Sequence, residues 1–410
     1  MAAAPSTRLD RKAMVAFIAA FLAVGLTYIA VFIVPPLITV FVDDLGLSHS
    51  QAGTLMSVYL AGYAVISLVC GQLADRFGAV RVMGTGVVLA GAATLLFAVS
   101  DNYAVFLFSR AIVGVATGLI YAPGIAFVAR LLPQRQLSTG VGVYLSGLSA
   151  GITVAFFVTP LLEDAYGWRR PFAVFGIVIL VGAALFYVMA RPVSARASRP
   201  AEFLPEEGVP TRELVTAPAF LKVCAALFVA MFVAFGVLTW IPPFFDEVAG
   251  FSASQISFAL GISVAVGMPA TVIAGWASDR TGRPLAVAGV GFGMTVSLLV
   301  LAAVDQISFG LATLMAIVAA FGVTGGLIPL FALPAMVVKP EATAAATGIA
   351  TSAAMCGAIV STFLGGWLVG VTDGYAVPFV IYVAAAGLAL VVFFPVAAVT
   401  VRSRRQSATA

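Results

Sequence analysis

Only 9% of these 410 residues carry charge, and a single one, His49, is a histidine. Soluble globular chains carry about 25% charged residues, so a soluble fold is excluded. The three cysteines, Cys70, Cys224 and Cys356, all lie in or at the start of apolar runs. None is placed for a loop disulfide or a clustered metal site, and each reads as a small packing residue. No Gly-x-x-x-x-Gly-Lys-[Ser/Thr] occurs, which argues against nucleotide-driven pumping. Every one of the 17 acidic residues falls in a loop, a tail or the end of an apolar run. A proton relay built on carboxylates deep in a membrane is therefore unavailable. No catalytic residue, metal or cofactor is expected.

What is abundant is apolar sequence, at 62% of residues. A bilayer core about 30 Å thick is crossed by roughly 20 apolar helical residues. Such runs lie near 14 to 42, 50 to 72, 80 to 99, 103 to 130, 137 to 161 and 170 to 190, then 218 to 245, 253 to 275, 284 to 303, 307 to 338, 343 to 370 and 376 to 400. The sequence predicts an all-α integral membrane fold of twelve transmembrane helices in contact with the lipid bilayer. The first run is too long for the 7–15 apolar residues of a signal peptide and is expected to stay in the mature chain. With an internal N-terminus, 18 of the 21 Lys and Arg residues fall on the inner side and only Arg169 and Arg170 outside, with Arg110 inside a span. Translocated loops are depleted in Lys and Arg, so both termini are expected in the cytoplasm, and the setting is read as a bacterial inner (plasma) membrane. The net charge of +4 follows this topology rather than forming a patch, and no nucleic-acid partner is inferred.

The chain repeats itself. Ser48-x-Ser50-Gln51 recurs as Ser252-x-Ser254-Gln255, and Gly71-x-x-x-Asp75-Arg76-x-Gly78 as Gly275-x-x-x-Asp279-Arg280-x-Gly282, all at an offset of 204. Gly114-Val-Ala-Thr-Gly118-Leu-Ile matches Gly322-Val-Thr-Gly-Gly326-Leu-Ile at 208, and Gly167-Trp168-x-x-Pro171-Phe172 matches Gly374-Tyr375-x-x-Pro378-Phe379 at 207. Two six-helix repeats related by a pseudo-two-fold axis along the membrane normal account for this, a transporter plan that places substrate between the halves near the midplane. The expected domains are an N-terminal half at 1–192, a charged and proline-rich cytoplasmic linker at 193–217, a C-terminal half at 218–400 and a cytoplasmic tail at 401–410. The molecule is expected to be a monomer.

Gly71-Gln-Leu-Ala-Asp75-Arg76-Phe-Gly78-Ala-Val-Arg81 resembles the signature loop between spans 2 and 3 of the major facilitator superfamily, and Gly275-Trp-Ala-Ser-Asp279-Arg280-Thr-Gly282-Arg283 its weaker copy between spans 8 and 9. The residue types suit a short loop at the anionic cytoplasmic face, with Gly78 permitting a tight turn, Asp75 accepting from donors at a helix N-terminus, and Arg76 and Arg81 holding the membrane surface. The resemblance implies that these loops gate, stabilising an outward-facing state. Enforcing a short turn and the topology is the plainer alternative.

Arg110-x-x-x-Gly114-x-x-x-Gly118 resembles the span 4 motif of that family. Arg110 lies roughly 10 Å below the outer end of its span, and a guanidinium at that depth is a functional candidate. Tyr121 returns to nearly the same helix face. The glycines between them read more readily as a packing seam than as room for a solute. The family lines its cavity with spans 1, 4, 7 and 10, which here offer Tyr28, Arg110, Tyr121, Thr239, Trp240 and Thr324 as substrate-binding or translocation residues. Pro35-Pro36 and Pro242-Pro243 stand at similar places in spans 1 and 7 and are expected to bend or end those helices. Any co-transported proton must use Asp43, Asp44, Asp246 or Glu247 at the outer mouth, and His49 reads as a solvated or capping residue.

One buried cation and no buried anion favour a secondary transporter, by symport, of a small anionic metabolite such as a carboxylate. Efflux of drugs or metabolites by antiport is the alternative. Span 5 lacks the Gly-Pro step of the family's antiporter motif in Gly147-Leu-Ser-Ala-Gly151-Ile-Thr-Val-Ala, which lowers it. A transporter-like sensor would carry an added soluble domain, for which linker and tail leave no room.

Overall fold

The structure is a computed structural model that describes residues 11–67, 69–131, 137–193, 217–281, 289–291, 293–297, 307–337 and 343–388. Among these it is all helical. The helices are α1 (Arg11–Phe32), α2 (Ile38–Leu45), α3 (His49–Ser67), α4 (Cys70–Phe77), α5 (Ala79–Ala98), α6 (Tyr103–Leu131), α7 (Leu137–Tyr166) and α8 (Arg169–Ala190). They continue as α9 (Pro218–Glu247), α10 (Ala253–Thr281), α11 (Phe309–Val337), α12 (Thr343–Thr372) and a shorter α13 (Ala376–Leu388). Nine helical segments among the described residues are long and apolar enough to cross a membrane. Span 2 is α3, whose Ser, Thr, Gln, Gly and Tyr residues dilute its apolar character. Span 12 is the described part α13, and most of 284–303, the expected ninth span, lies outside the described residues, as do the linker from 194 to 216 and the C-terminal tail. The described helices are consistent with twelve spans in an all-α membrane fold.

Contacts divide the chain into two compact units, Met1–Val34 with Val58–Leu204 and Pro35–Ser57 with Pro205–Ala410. This division cuts across the repeats, because the outer end of span 1 and the start of span 2 pack with the second unit. In the first unit α1 packs on α7, α8 and α6, and α5 on α6 and α8; in the second α9 packs on α12 and α11, and α10 on α11. The pairs α1–α7 and α9–α12 are repeat equivalents, and both are glycine seams. A Cβ on Gly151 would lie 2.1 Å from the Gly25 carbonyl, and one on Gly357 would lie 2.0 Å from that of Phe228. The Gly-Trp-x-x-Pro-Phe repeat is a packing motif too. Trp168 meets Phe97 and Phe172 edge-on, while Tyr375 and Phe379 pack on Phe244.

The two diproline sites behave differently. Pro35 and Pro36 end α1 at Phe32 and open a 3-10 turn over Pro35–Leu37 before α2. Pro242 and Pro243, by contrast, sit inside a continuous α9. The expectation that both pairs bend or end their helices thus holds as a break in span 1 only.

Candidate substrate site

The break in span 1 determines what surrounds Arg110. In a continuous helix the Val31 carbonyl would accept from the nitrogen of residue 35, but Pro35 has no N–H to give. The Ala30 carbonyl would accept from Val34, which the break takes out of the helix. Arg110, from α6, supplies both missing donors: its Nη1 donates to the Ala30 carbonyl at 2.7 Å and its Nη2 to the Val31 carbonyl at 2.9 Å. The side chain is 1% exposed and its charge lies 5.6 Å from the centre of the Tyr59 ring. The guanidinium therefore sits at the C-terminal end of α1, where the helix dipole presents about half a negative charge. A guanidinium has five N–H donors. The two bonds use one on each terminal nitrogen, and Nε, also buried, has no partner among the described residues.

The first unit also holds a cluster of five tyrosines, of which Tyr59 reaches this cation. Tyr28 on α1 lies within electrostatic reach of Tyr59, Tyr63, Tyr121 and Tyr144. Tyr144 donates to the Ile120 carbonyl at 2.7 Å, and Tyr63 and Tyr121 meet edge-on with ring centres 6.3 Å apart. The structure thus brings Tyr28 and Tyr121 into one cluster, which meets Arg110 through Tyr59. It adds Tyr59, Tyr63 and Tyr144, which sequence reasoning passed over. A signal existed for two of them, since Tyr59 and Tyr63 are four residues apart on one face of α3. Gly114 and Gly118 form a seam rather than a path: added Cβ atoms would lie 2.0 Å from the Tyr59 carbonyl oxygen and 2.3 Å from Ile66 Cγ2.

In the second unit Thr239 and Trp240 are both fully buried, and Thr239 Oγ1 and Trp240 Nε1 lack hydrogen-bond partners among the described residues. Trp240 fills the space above Gly365, where a Cβ would lie 2.3 Å from Nε1. Thr324 donates to the Ala320 carbonyl of its own helix at 2.7 Å and faces Gly267. Near the C-terminal end of α9 the acidic residues have specific partners. Glu247 meets His49 Nε2 through both oxygens, at 3.1 and 3.3 Å, and Asp246 accepts from the Thr39 hydroxyl. Asp43 lies within electrostatic reach of Asp246, and both Asp43 and Asp44 are exposed. His49 is therefore the partner of a carboxylate 198 residues away rather than a free solvated group.

The first signature loop is the short helix α4, closed by Gly78 at φ 87° and ψ 135°, whose N–H bonds the Ala74 carbonyl at 2.9 Å. Arg76 is exposed over the Phe77 ring, Arg81 is exposed, and Gly71 has open space where a Cβ would stand. In the second copy Gly275, Asp279 and Arg280 belong to the uninterrupted α10, with Arg280 over the Trp276 ring at 5.1 Å. Gly282 and the side chains of Asp75 and Asp279 lie outside the described residues. Gly78→Ala is expected to destabilise the fold by about 1–3 kcal/mol, since it forces an L residue into this region. Gly71→Ala is expected to leave stability unchanged or slightly raised. Thermal midpoints of the two purified variants check this, and equal midpoints would refute it.

Nine apolar helical segments among the described residues, internal repeats and a buried guanidinium define a polytopic membrane protein. The profile of the Major Facilitator Superfamily matches residues 20–335, and the chain belongs to that family of transporters. Among curated relatives, the probable anion transporter 2, chloroplastic, of Oryza sativa subsp. japonica is 28% identical over 68% of this chain and 55% of its own length. The hexuronate transporter of Bacillus subtilis (strain 168) is 26% identical over 71% of this chain and 69% of its own. The chain thus spans about half the length of the first of these relatives. A solved bacterial homologue of the human lysosomal transporter Spinster, inward-facing and unoccupied, superposes with a TM-score of 0.80 at 16% identity, covering 96% of this chain and 98% of that one.

Proposed function

We propose that this transporter moves a small organic anion, a carboxylate in the first instance, across the membrane by alternating access. The observation that carries the reading is Arg110, a guanidinium 1% exposed with no carboxylate against it among the described residues. The α1 terminus offsets only part of the charge, and the remaining N–H donors form the fork that suits a carboxylate. The anion and hexuronate transporters among its relatives support the same class of cargo. Tyr28, Tyr59, Tyr63 and Tyr121 are the first unit's candidates for the rest of the site, and Thr239, Trp240 and Thr324 are the second unit's candidates. Both termini lie in the cytoplasm, in line with the distribution of Lys and Arg, and the signature loops at Asp75 and Asp279 gate. A co-transported proton would use the outer groups Asp43, Asp44, Asp246 and Glu247, the last together with His49.

The test is a thermal-shift screen of the purified protein over organic acids, neutral solutes and lipophilic cations, because a bound ligand raises apparent stability by mass action. Stabilisation by carboxylates alone is the expected result. Stabilisation by lipophilic cations alone would replace this reading with drug efflux, since the same guanidinium repels them.

A further inference from the structure

Pro35 carries no N–H, and this bears on what the Arg110 guanidinium binds. Were residue 35 to carry an N–H, the Val31 carbonyl would have a donor from its own helix. It would then no longer be left for the Nη2 that now lies 2.9 Å away. The second repeat offers a comparison. At the offset of 208 that relates Gly114 to Gly322, Arg110 falls on Val318, and α9 runs unbroken through Pro242 and Pro243. With valine at the position equivalent to the arginine, that helix does not open. The break and the arginine form a matched pair.

We propose that Pro35 is a positioning residue for the anion site: by withholding a donor it frees the Val31 carbonyl to anchor one end of Arg110, which fixes the direction of the guanidinium's remaining donors. This rests on the reading of Arg110 as the anion's partner. Two carbonyl anchors on the terminal nitrogens restrict rotation about the last bonds of the long side chain, so that binding an anion costs less ordering than a free arginine would require. The cation is preorganised by backbone that is itself held open by a proline.

The experiment uses the full-length purified protein with D-glucuronate as probe, and the variants Pro35→Ala, Arg110→Ala and the double variant. Pro35→Ala is expected to keep or raise the thermal midpoint, because the new N–H satisfies Val31, while D-glucuronate binds about tenfold more weakly. A purely structural proline would not move affinity and stability in opposite directions. In the Arg110→Ala background the same change is expected to recover part of the lost midpoint. Additive midpoints in this cycle would overturn the anchoring, and unchanged affinity in Pro35→Ala would overturn the positioning. If the midpoints couple but wild-type and Arg110→Ala protein bind D-glucuronate equally or not at all, the reading of Arg110 as the anion's partner fails and the positioning role falls with it, leaving Pro35 as a structural partner of Arg110. An Arg-selective label read by mass spectrometry, expected to modify Arg110 faster in Pro35→Ala, covers the case of low yield of the double variant.

Discussion

Arg110→Ala is expected to abolish anion binding and transport while lowering stability. The substitution removes a buried charge and orphans two carbonyls at once, those of Ala30 and Val31. Hydrogen bonds to charged groups contribute about 1.5–3 kcal/mol each, and each acceptor left dry inside the protein carries its own desolvation penalty. The stack on Tyr59 disappears as well. Arg110→Lys separates charge from geometry. A lysine keeps the cation near the α1 terminus, but one ammonium on a flexible stem does not reproduce a planar fork with two carbonyls on one side and an anion on the other. It is expected to fold, to hold monodisperse behaviour, and to bind D-glucuronate at least tenfold more weakly than wild type. Binding by purified protein, with size-exclusion chromatography as the folding check, reads all three cases. Wild-type affinity in well-folded Arg110→Ala would take Arg110 out of the site and remove the main reason to prefer an anion over a lipophilic cation.

The broad architecture was legible because a membrane span is written locally. About 20 apolar residues in a row identify a helix whatever surrounds it, and the repeats at offsets of 204 to 208 gave the two-fold plan before any coordinate. The Pro35-Pro36 break was legible for the same reason, since a missing N–H is a property of the residue itself. What was not legible is where the carbonyls freed by a proline find new donors. Arg110 lies 80 positions from Ala30, and nothing in either local sequence says that they meet. The outcome at Pro242-Pro243 depended on the same non-local fact. The pairing of His49 with Glu247 was not legible either: the sequence offers Glu247 as a coupling candidate and His49 as a solvated or capping residue, and the fold sets them 3.1 Å apart. The tyrosines of α3 were not legible as site residues because the resemblance names four other spans as cavity-lining, whereas Tyr59 reaches Arg110 from span 2.

A second large effect is expected at Gly114, and its cause is backbone rather than charge. A Cβ there would lie 2.0 Å from the Tyr59 carbonyl oxygen and 2.8 Å from the Tyr63 nitrogen, both main-chain atoms of α3. The approach is reciprocal, because a Cβ on Gly62 would lie 2.4 Å from the Ala111 carbonyl. Main-chain atoms inside a helix cannot swing aside as a side-chain tip can, so any larger residue must push α3 and α6 apart along their whole crossing. That crossing carries the Tyr59 ring against Arg110 and the Tyr63 ring against Tyr121, so the site is lost with the seam. In lipid, close packing is the main source of attraction between helices, with no hydrophobic driving force to replace it. Gly114→Ala is therefore expected to lower the thermal midpoint markedly, and Gly114→Val to yield little or no monodisperse protein. Gly118→Ala should be milder, as its added Cβ would press on the Ile66 side chain at 2.3 Å rather than on backbone. Fluorescence-detected size-exclusion profiles of the three variants rank them directly. Gly114→Val protein with wild-type yield and midpoint would mean that spans 2 and 4 do not cross this closely, and the contact between Tyr59 and Arg110 would have to be abandoned with the crossing.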